Sequence, residues 1–531
     1  MLFPTIDFAV FFVVVFTASW LLRPWPRPWK LMILAASFVF YGWWDWRFVF
    51  LLGASIVINQ TGAVVVSTLR DPRSRRLAMI GAILGDVGLL GWFKYYGFLS
   101  VNVANGLHRM GLSSPLPVLQ VALPVGISFF TFMGISYVVD VQRGKIPAAT
   151  WLDAAVYLSF FPHLVAGPIV RGSELLPQLR ERKDPKRIDA SRAAWLIVAG
   201  LAKKVVISSF LSKNIVDPVF ALPHQHSALE VLFAIYGYAI QIYADFSGYT
   251  DIAIGVALLL GFRFPENFNA PYAAESLQDF WRRWHMTLSS WLRDYVYIPL
   301  GGNRQGRWRT ALNIFLTMLI GGLWHGAAWT FVAWGAFHGI GQVIGMFRRD
   351  HRAARERPGV PGTEEPVPPD QRARPAAPGT AGRPGSSHRS GPGRAPATGT
   401  NPLPATTTTP TPGPAPIEEP SQARVWWSRI VTFHLVCLGW VLFRAVSFSN
   451  AMAVLSRLAH PGPAPMVTPL VIGAILVSIA SQYVSPATVA GAQRQFSELS
   501  PVSQGAVLAG CLYVITLLGP QGVAPFIYYR F

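Results

Sequence analysis

The sequence is organised around residues 278–339, which open with Asp279-Phe280-Trp281-Arg282-Arg283-Trp284-His285 and end near Gly322-Leu323-Trp324-His325-Gly326. Two histidines, His285 and His325, each follow a tryptophan and lie within or beside apolar sequence. A titratable ring at membrane depth is costly and marks a functional site by default. Both histidines are therefore candidate functional residues, with a structural histidine bonded to a neighbouring carbonyl as the alternative for each.

The composition surrounding this stretch is that of a membrane protein. Of 531 residues, 52% are hydrophobic and only 13% are charged, whereas soluble domains carry about 25% charged residues. Apolar runs recur along the chain at the length that a helix needs to cross a bilayer. We predict an all-α polytopic membrane protein with about 11 to 14 hydrophobic helical segments, some of them re-entrant.

The net charge of +19 reflects membrane topology rather than nucleic-acid binding. The basic residues cluster in alternate connections between apolar runs, as the positive-inside rule requires. The first run, residues 5–22, is followed by Arg23 and Arg27, which predicts an N-terminus on the outside. We expect a multi-pass protein of the bacterial cytoplasmic membrane that contacts lipid and no nucleic acid.

The chain divides into three parts by composition. Residues 1–346 form a membrane core that contains the stretch 278–339. Residues 347–425 are rich in Pro, Ala and Arg and cannot bury enough apolar surface to offset their ordering entropy, so they predict a disordered cytoplasmic linker. Residues 426–531 supply the last membrane helices of the core.

Several local patterns leave alternatives open. We expect a loop over residues 98–120 and a short, re-entrant segment over residues 151–168. The adjacent Lys203 and Lys204 interrupt an apolar run, which indicates either a cavity-lining helix or snorkelling side chains. A break at residues 245–251 carries Asp245 and Asp251, and pairing with the many arginines is favoured over ligand or cation binding.

No metal site or bound cofactor is predicted. Nucleotide-binding glycine motifs and cysteine–histidine clusters are missing from the sequence. Cys437 and Cys511 are far apart in apolar runs and predict no disulfide. A zinc site built from His285, His325 and His338 lacks the usual ligand spacing.

Several segments, taken in their order along the chain, carry a resemblance to a known family. They are Leu123-Pro124-Val125-Gly126-Ile127-Ser128-Phe129-Phe130-Thr131-Phe132, Phe160-Phe161-Pro162-His163-Leu164-Val165-Ala166-Gly167-Pro168-Ile169, Asp245-Phe246-Ser247-Gly248-Tyr249-Thr250-Asp251, Phe264-Pro265-Glu266-Asn267-Phe268-Asn269-Ala270-Pro271-Tyr272, the stretch 278–339 and Phe337-His338-Gly339. With these motifs the sequence resembles the membrane-bound O-acyltransferases, and within them the bacterial branch that acts in alginate O-acetylation and teichoic acid D-alanylation. The resemblance covers residues 1–348 and resumes at residue 426.

The resemblance implies a ring of helices that encloses a thinner centre with a channel. It assigns the family's essential histidine to His325 and the second functional histidine to His285. It also implies an acyl thioester such as acetyl-CoA as donor substrate, an extracytoplasmic acetyltransferase partner, and O-acylation of an exported polysaccharide or cell-wall glycan. Alternatives are D-alanyl or lipid acylation by the same fold, or a proton-coupled transporter or flippase.

The chemistry of acyl transfer suits these residues. A base must take the proton of the acceptor hydroxyl, and water must be kept out. His325 can serve as that base or as a covalent acyl carrier, while His285 can position the donor or polarise its carbonyl. We predict substrate-binding roles for Trp324, Arg282, Arg283 and Asp279, because an aromatic wall excludes solvent and a basic mouth attracts a phosphate-bearing donor.

Overall fold

The computed structural model describes residues 1–114, 117, 123–165, 167–181, 183–355, 421–519 and 526–527. Within these ranges the chain forms helices and connecting loops, without strands. The α-helices are, in chain order, α1 Ile6–Leu22, α2 Pro26–Gly42, α3 Phe48–Thr68, α4 Pro72–Leu90, α5 Tyr96–Arg109, α6 Ile127–Gln142, α7 Trp151–Ser159, α8 Phe161–Leu164, α9 Gly172–Arg180, α10 Ala190–Leu201, α11 Ser209–Leu211, α12 Asp217–Ala221, α13 Ala228–Leu259, α14 Leu277–Arg283, α15 Met286–Leu292, α16 Gly306–His325, α17 Trp329–Arg355, α18 Gln422–Arg444, α19 Phe448–Arg457, α20 Pro469–Ser481, α21 Pro486–Glu498 and α22 Pro501–Leu518.

Six helical stretches of the described chain are long and apolar enough to cross a bilayer, judged by length and composition. They are Phe48–Thr68, Pro72–Arg109, Ala190–Ala221, Ala228–Leu259, Gln422–Arg444 and Pro501–Leu518. A seventh arises if α20 and α21, which meet at an angle of 97°, form one broken span. The prediction of an all-α polytopic membrane protein is confirmed. The predicted ring around a channel stays a prediction.

Short π-helical turns continue several of these helices. Gly91–Tyr95 joins α4 to α5, Ala202–Ser208 follows α10, and Arg293–Tyr297 follows α15. Because the turn at Gly91–Tyr95 keeps the chain helical as far as Arg109, the predicted loop over residues 98–120 is wrong in its first half. Single π-helical turns often occur at functional sites, and Gly91–Tyr95 lies beside the candidate site described below.

The segment after α6 is short and buried. Helices α7 and α8 hold nine and four residues, which is about 14 Å and 6 Å of helix at 1.5 Å per residue. Neither length crosses a hydrocarbon core of about 30 Å. Most side chains of both helices are buried within the protein, where irregular backbone is tolerated at membrane depth.

Helix α13 runs through the protein interior without a break. It spans 32 residues from a Ser227–Glu230 capping box to Leu259, so the break predicted at residues 245–251 is wrong. Its Gly248 meets Gly200 of α10 so closely that a Cβ on Gly248 would lie 2.7 Å from the Gly200 carbonyl oxygen. Small residues of this kind let two membrane helices approach backbone to backbone.

The close approach of α10 and α13 places two lysines beside two carboxylates of α13. Lys203 Nζ lies 2.6 Å from Asp251 Oδ2, and Lys204 forms an ion pair with Asp245. Asp245 also accepts hydrogen bonds from Ser208 Oγ at 3.2 Å and from the Ile527 amide at 2.8 Å. The carboxylates are paired, as favoured from the sequence, but their partners are lysines rather than arginines.

The structure describes only the two edges of the segment 347–425, which is predicted as a disordered linker. Residues 347–355 continue α17 and residues 422–425 begin α18, so both edges of the segment 347–425 are helical. Residues 356–420 lie outside the described residues. Met1–Arg349 and Gln422–Phe531 form one compact unit and Asp350–Ser421 a second. The division into core, linker and C-terminal helices otherwise stays a prediction.

The two lysine pairs differ in burial, and this difference predicts different effects of mutation. The side chain of Lys204 is 0% exposed, whereas that of Lys203 is 30% exposed. Removing one partner of a buried pair leaves an uncompensated charge and costs about 3–5 kcal/mol. We expect Lys204→Met to lower the thermal unfolding temperature in detergent markedly and the neighbouring Lys203→Met to lower it less. Equal losses in the two variants would contradict the burial argument.

Candidate active site

The helix that carries His325 ends at His325 itself. Gly326 follows in an extended conformation, with φ −163° and ψ 154°. A Cβ on Gly326 would lie 2.1 Å from the ring of Phe331, so only glycine fits beneath that ring. The helix therefore stops at a position where the backbone turns under a large side chain.

The His325 ring lies in an aromatic surround. Its centroid is 4.8 Å from that of Trp324, 5.0 Å from that of Trp334 and 5.1 Å from that of Phe443. His325 is 2% exposed. A ring in this setting is shielded from bulk water, which is what a base or nucleophile for acyl transfer requires.

His325 nevertheless borders a cavity. The cavity lies against the N-terminal end of α6, where Gly126 adopts a left-handed conformation with φ 77° and begins the helix. A Cβ on Gly126 would lie 2.5 Å from the Leu164 carbonyl oxygen. The lining residues are Lys94, Leu123, Pro124, Val125, Gly126, Ile127, Ser128, Phe129, Val165, Trp324, His325 and Phe526.

The backbone at the end of α16 is held by two side chains of the π-helical turn Gly91–Tyr95. The Tyr95 hydroxyl donates to the Leu323 carbonyl oxygen at 2.6 Å. Lys94 Nζ donates to the carbonyl oxygens of Trp324 and His325, the latter at 3.1 Å. Sequence reasoning missed Lys94. The signal that would have found it is a single cation inside the apolar run 77–97, since ionisable residues in such runs are functional candidates.

His285 sits in a strained, buried turn. Its φ of 42° is one of two positive values among the non-glycine residues that the structure describes. Such conformations cost energy and cluster at functional sites. Asn267 holds the turn, because its backbone carbonyl accepts from the Met286 amide at 2.9 Å and its Oδ1 accepts from the Thr287 amide at 3.1 Å.

The same contact assigns the nitrogen atoms of the His285 ring. His285 Nδ1 lies 3.2 Å from Asn267 Oδ1, which already accepts from the Thr287 backbone. Because the Thr287 amide donates to this atom, it is the oxygen of the Asn267 side chain, and an amide oxygen only accepts. His285 Nδ1 must therefore be the donor in this contact and carry the proton. In the neutral ring Nε2 then bears the lone pair. Nε2 is buried with no hydrogen-bond partner among the described residues, which leaves it able to accept a proton.

Trp324 contacts both candidate histidines. Its ring centroid is 5.9 Å from that of His285 and 4.8 Å from that of His325. The ring also stacks on Phe132 at 5.3 Å, and its Nε1 donates to the Ser128 carbonyl oxygen at 3.4 Å. The structure thus brings His285 together with Trp324 and His325, which lie about forty positions later in the sequence.

The remaining predicted substrate-binding residues lie elsewhere. Asp279 and Arg283 pair with each other along α14, with Arg283 Nε 3.0 Å from Asp279 Oδ2. Arg282 is exposed on the same helix. The cavity beside His325 is not lined by any of the three, and their role in binding substrate stays a prediction.

The other buried histidines have structural contacts. His338 Nδ1 accepts from Trp281 Nε1 at 3.3 Å, and His163 Nε2 lies 3.0 Å from the Tyr157 carbonyl oxygen. Across the described ranges, no three His, Cys, Asp or Glu side chains are grouped as metal ligands.

Because Gly326 lies directly against the Phe331 ring, adding one methyl group at this position should lower the stability of the protein. Gly326→Ala places a Cβ inside the Phe331 ring, and overpacking of this kind costs about 1–3 kcal/mol. Gly88→Ala, where nothing lies within 4 Å of the added atom, is the matched control in an open position. We expect a lower unfolding temperature for Gly326→Ala and no loss for Gly88→Ala. An unchanged Gly326→Ala protein would show that Phe331 is not packed as described.

The chain is similar in sequence to a known protein family and to several groups of bacterial proteins. The model of the membrane-bound O-acyltransferase family matches residues 140–354. The chain is 42% identical over 348 residues to a probable alginate O-acetylase of Azotobacter vinelandii, covering 65% of this chain and 68% of that protein. It is 36% identical over 354 residues to a peptidoglycan O-acetyltransferase of Helicobacter pylori, covering 62% and 66%. It is 31% identical over 231 residues to a teichoic acid D-alanyltransferase of Bacillus subtilis, covering 41% and 57%.

The matched region contains both histidines, Trp324 and Asn267. Residues of the site that lie outside it are Lys94, Tyr95, residues 123–139, Phe443 and Phe526. The stretch 278–339, on which the resemblance in the sequence was based, lies wholly within it. The prediction of the family is confirmed: this chain belongs to the membrane-bound O-acyltransferase family and is a multi-pass membrane O-acyltransferase.

Proposed function

We propose that this protein takes an acetyl group from a cytoplasmic thioester, with acetyl-CoA as the donor, and passes it toward a hydroxyl of an exported polysaccharide or cell-wall glycan. The observation that carries the proposal is the placement of His325 on a cavity, at the buried C-terminal end of α16 and in an aromatic surround. The similarity to alginate and peptidoglycan acetylating proteins supports acetyl as the acyl group and a glycan as the acceptor.

Two routes of acyl transfer fit His325. As a general base, it takes the proton of the acceptor hydroxyl while the hydroxyl oxygen attacks the thioester carbonyl carbon. The C–S bond then breaks, and the thiolate takes the proton from the imidazolium. As a nucleophile, His325 attacks the carbonyl carbon, releases the thiol and holds the acyl group on nitrogen until the hydroxyl displaces it.

The surroundings of His325 suit either route. The first turn of α6 lines the same cavity, and the positive end of a helix dipole stabilises the negative charge that develops on the carbonyl oxygen. His285 also contacts Trp324 and keeps a lone pair on Nε2, which can accept a proton but cannot donate to a carbonyl oxygen. We propose His325 as the acyl-transfer residue and His285 as its accessory.

The cellular setting of the proposal follows from topology. We propose a bacterial cytoplasmic membrane with the N-terminus outside, because Arg23 and Arg27 follow the first apolar helix. We also propose an extracytoplasmic acetyltransferase partner that completes the transfer to the glycan. Teichoic acid D-alanyl transfer is the second candidate function, supported by the 31% identity to the Bacillus subtilis protein.

The first test of this function uses purified protein with radiolabelled acetyl-CoA. We expect His325→Ala to lower thioester cleavage by roughly 10²- to 10⁴-fold, the range of general acid–base catalysis. The matched control is His460→Ala, since His460 is exposed and its Nδ1 contacts only the Ser456 carbonyl oxygen among its described hydrogen bonds. Label that remains on the wild-type protein and disappears in His325→Ala would favour the covalent route.

Equal cleavage by wild type and His325→Ala would remove His325 from the chemistry. Cleavage of a D-alanyl carrier-protein thioester without cleavage of acetyl-CoA would favour the second candidate function. Proton-coupled uptake into vesicles that hold no acyl donor would support a transporter instead of an acyltransferase.

A separate prediction concerns His285 and its backbone. Asparagine tolerates a positive φ better than most residues, so His285→Asn removes the imidazole while retaining the left-handed turn. We expect acetyl-CoA cleavage to fall by about 10²-fold or more while the unfolding temperature in detergent stays near that of the wild type. Full activity in a folded His285→Asn protein would assign His285 to structure alone.

A further inference from the structure

The last backbone carbonyls of α16 are hydrogen bonded by two side chains of the π-helical turn Gly91–Tyr95. The last four carbonyls of an α-helix lack partners within the helix, and water is scarce inside a membrane protein. Tyr95 and Lys94 donate to the carbonyls of Leu323, Trp324 and His325. Three successive carbonyls, including that of His325 itself, are therefore held by two adjacent residues of the turn Gly91–Tyr95.

The charge on Lys94 suits this position in two ways. The C-terminal end of a helix carries partial negative charge, so a cation there is stabilising. Hydrogen bonds from an ammonium group are also about twice as strong as bonds between neutral groups. The described hydrogen-bond partners of Lys94 Nζ are two carbonyls and, at 3.3 Å, the Ser128 hydroxyl. Lys203 and Lys204, in contrast, pair with carboxylates.

Lys94 also joins the two walls of the cavity. Ser128 belongs to the first turn of α6, and its carbonyl oxygen accepts from Trp324 Nε1 at 3.4 Å. Lys94 thus contacts α6 through the Ser128 hydroxyl and α16 through its terminal carbonyls. Lys94 and Trp324 Nε1 therefore both link the end of α16 to α6, and Lys94 alone of the two bonds the His325 carbonyl.

We propose that Lys94 and Tyr95 are positioning residues for acyl transfer, which hold the end of α16 so that the His325 ring faces the cavity. The proposal rests on the proposed function of His325 and adds a role for two residues outside the matched region 140–354. In this role neither residue exchanges a proton with the substrate. Both act by holding the backbone at and just before His325 in place.

The expected effect is on turnover rather than on donor binding. A displacement of about 1 Å in a catalytic group can lower the rate by 10²-fold, so Lys94→Met should lower kcat for acetyl-CoA cleavage about 10- to 100-fold with KM for acetyl-CoA little changed. Lys94→Arg, which keeps a cationic donor, should recover part of the loss. Tyr95→Phe should lower kcat by a smaller factor.

Tyr96→Phe is the matched control for Tyr95→Phe. The neighbouring Tyr96 hydroxyl donates to the Pro117 carbonyl oxygen at 2.9 Å, away from α16, and its loss should leave kcat unchanged. A kcat of Lys94→Met equal to that of the wild type, or a loss confined to KM, overturns the proposal. If Lys94→Met does not fold, Tyr95→Phe decides: an unchanged kcat overturns the proposal, and a lowered one supports it.

A second measurement separates this proposal from the proposed function. Diethyl pyrocarbonate modifies histidine rings, and mass spectrometry follows the rate at each ring. Loosening the end of α16 should speed modification of His325 in Lys94→Met several-fold relative to the exposed His460. If the wild type cleaves no acyl thioester, the proposed function fails, yet the modification rates still test the positioning. An unchanged rate at His325 in a folded Lys94→Met protein counts against it.

Discussion

The arrangement of this protein depends on satisfying backbone carbonyls where a helix ends in the protein interior. Hydrocarbon offers no hydrogen bonds, and each unsatisfied polar group there costs several kcal/mol. Helix α16 ends at His325 in the protein interior, and Lys94 and Tyr95 supply the donors that its last carbonyls need. The same bonds connect α16 to the α4–α5 region, so the candidate reactive ring and the framework around it are held by one set of contacts.

A related constraint explains the other buried charges. An ion inside a membrane protein is tolerated when it is paired or hydrogen bonded, and such pairing requires helices that approach closely. Gly200 and Gly248 permit that approach between α10 and α13. Lys204 then reaches Asp245, which also accepts the amide of Ile527 from the C-terminal end of the chain. Charges that look unfavourable in a hydropathy profile thus connect distant parts of the fold.

The two candidate histidines differ in how the fold holds them. His325 lies at the end of a regular helix whose carbonyls are bonded from outside, while His285 lies in a left-handed turn fastened by Asn267. Trp324 contacts both rings. Two imidazoles in contact with the same aromatic side chain suit a membrane O-acyltransferase, because one ring borders a cavity while the other keeps a lone pair in a buried setting.

The sequence by itself determined the all-α membrane class and the approximate position of most long helices, and it named both histidines as candidate functional residues. Apolar length and the charges at helix ends are local properties, and the Trp-His-Gly and Arg-Trp-His contexts are contiguous. The same local signals misled at residues 98–109 and 245–251, where loops were expected and the chain is helical.

Only the tertiary structure decided which side chains meet. Lys94 and the carbonyl of His325 are 231 positions apart, and Lys204 and Asp245 are 41 apart. No periodicity in a single helix records such contacts, since they depend on how whole helices pack. The sequence contains a lysine within one apolar run and a histidine after another. Packing brought the Lys94 amine onto the His325 carbonyl, because a buried cation and the carbonyls at a buried helix end stabilise each other.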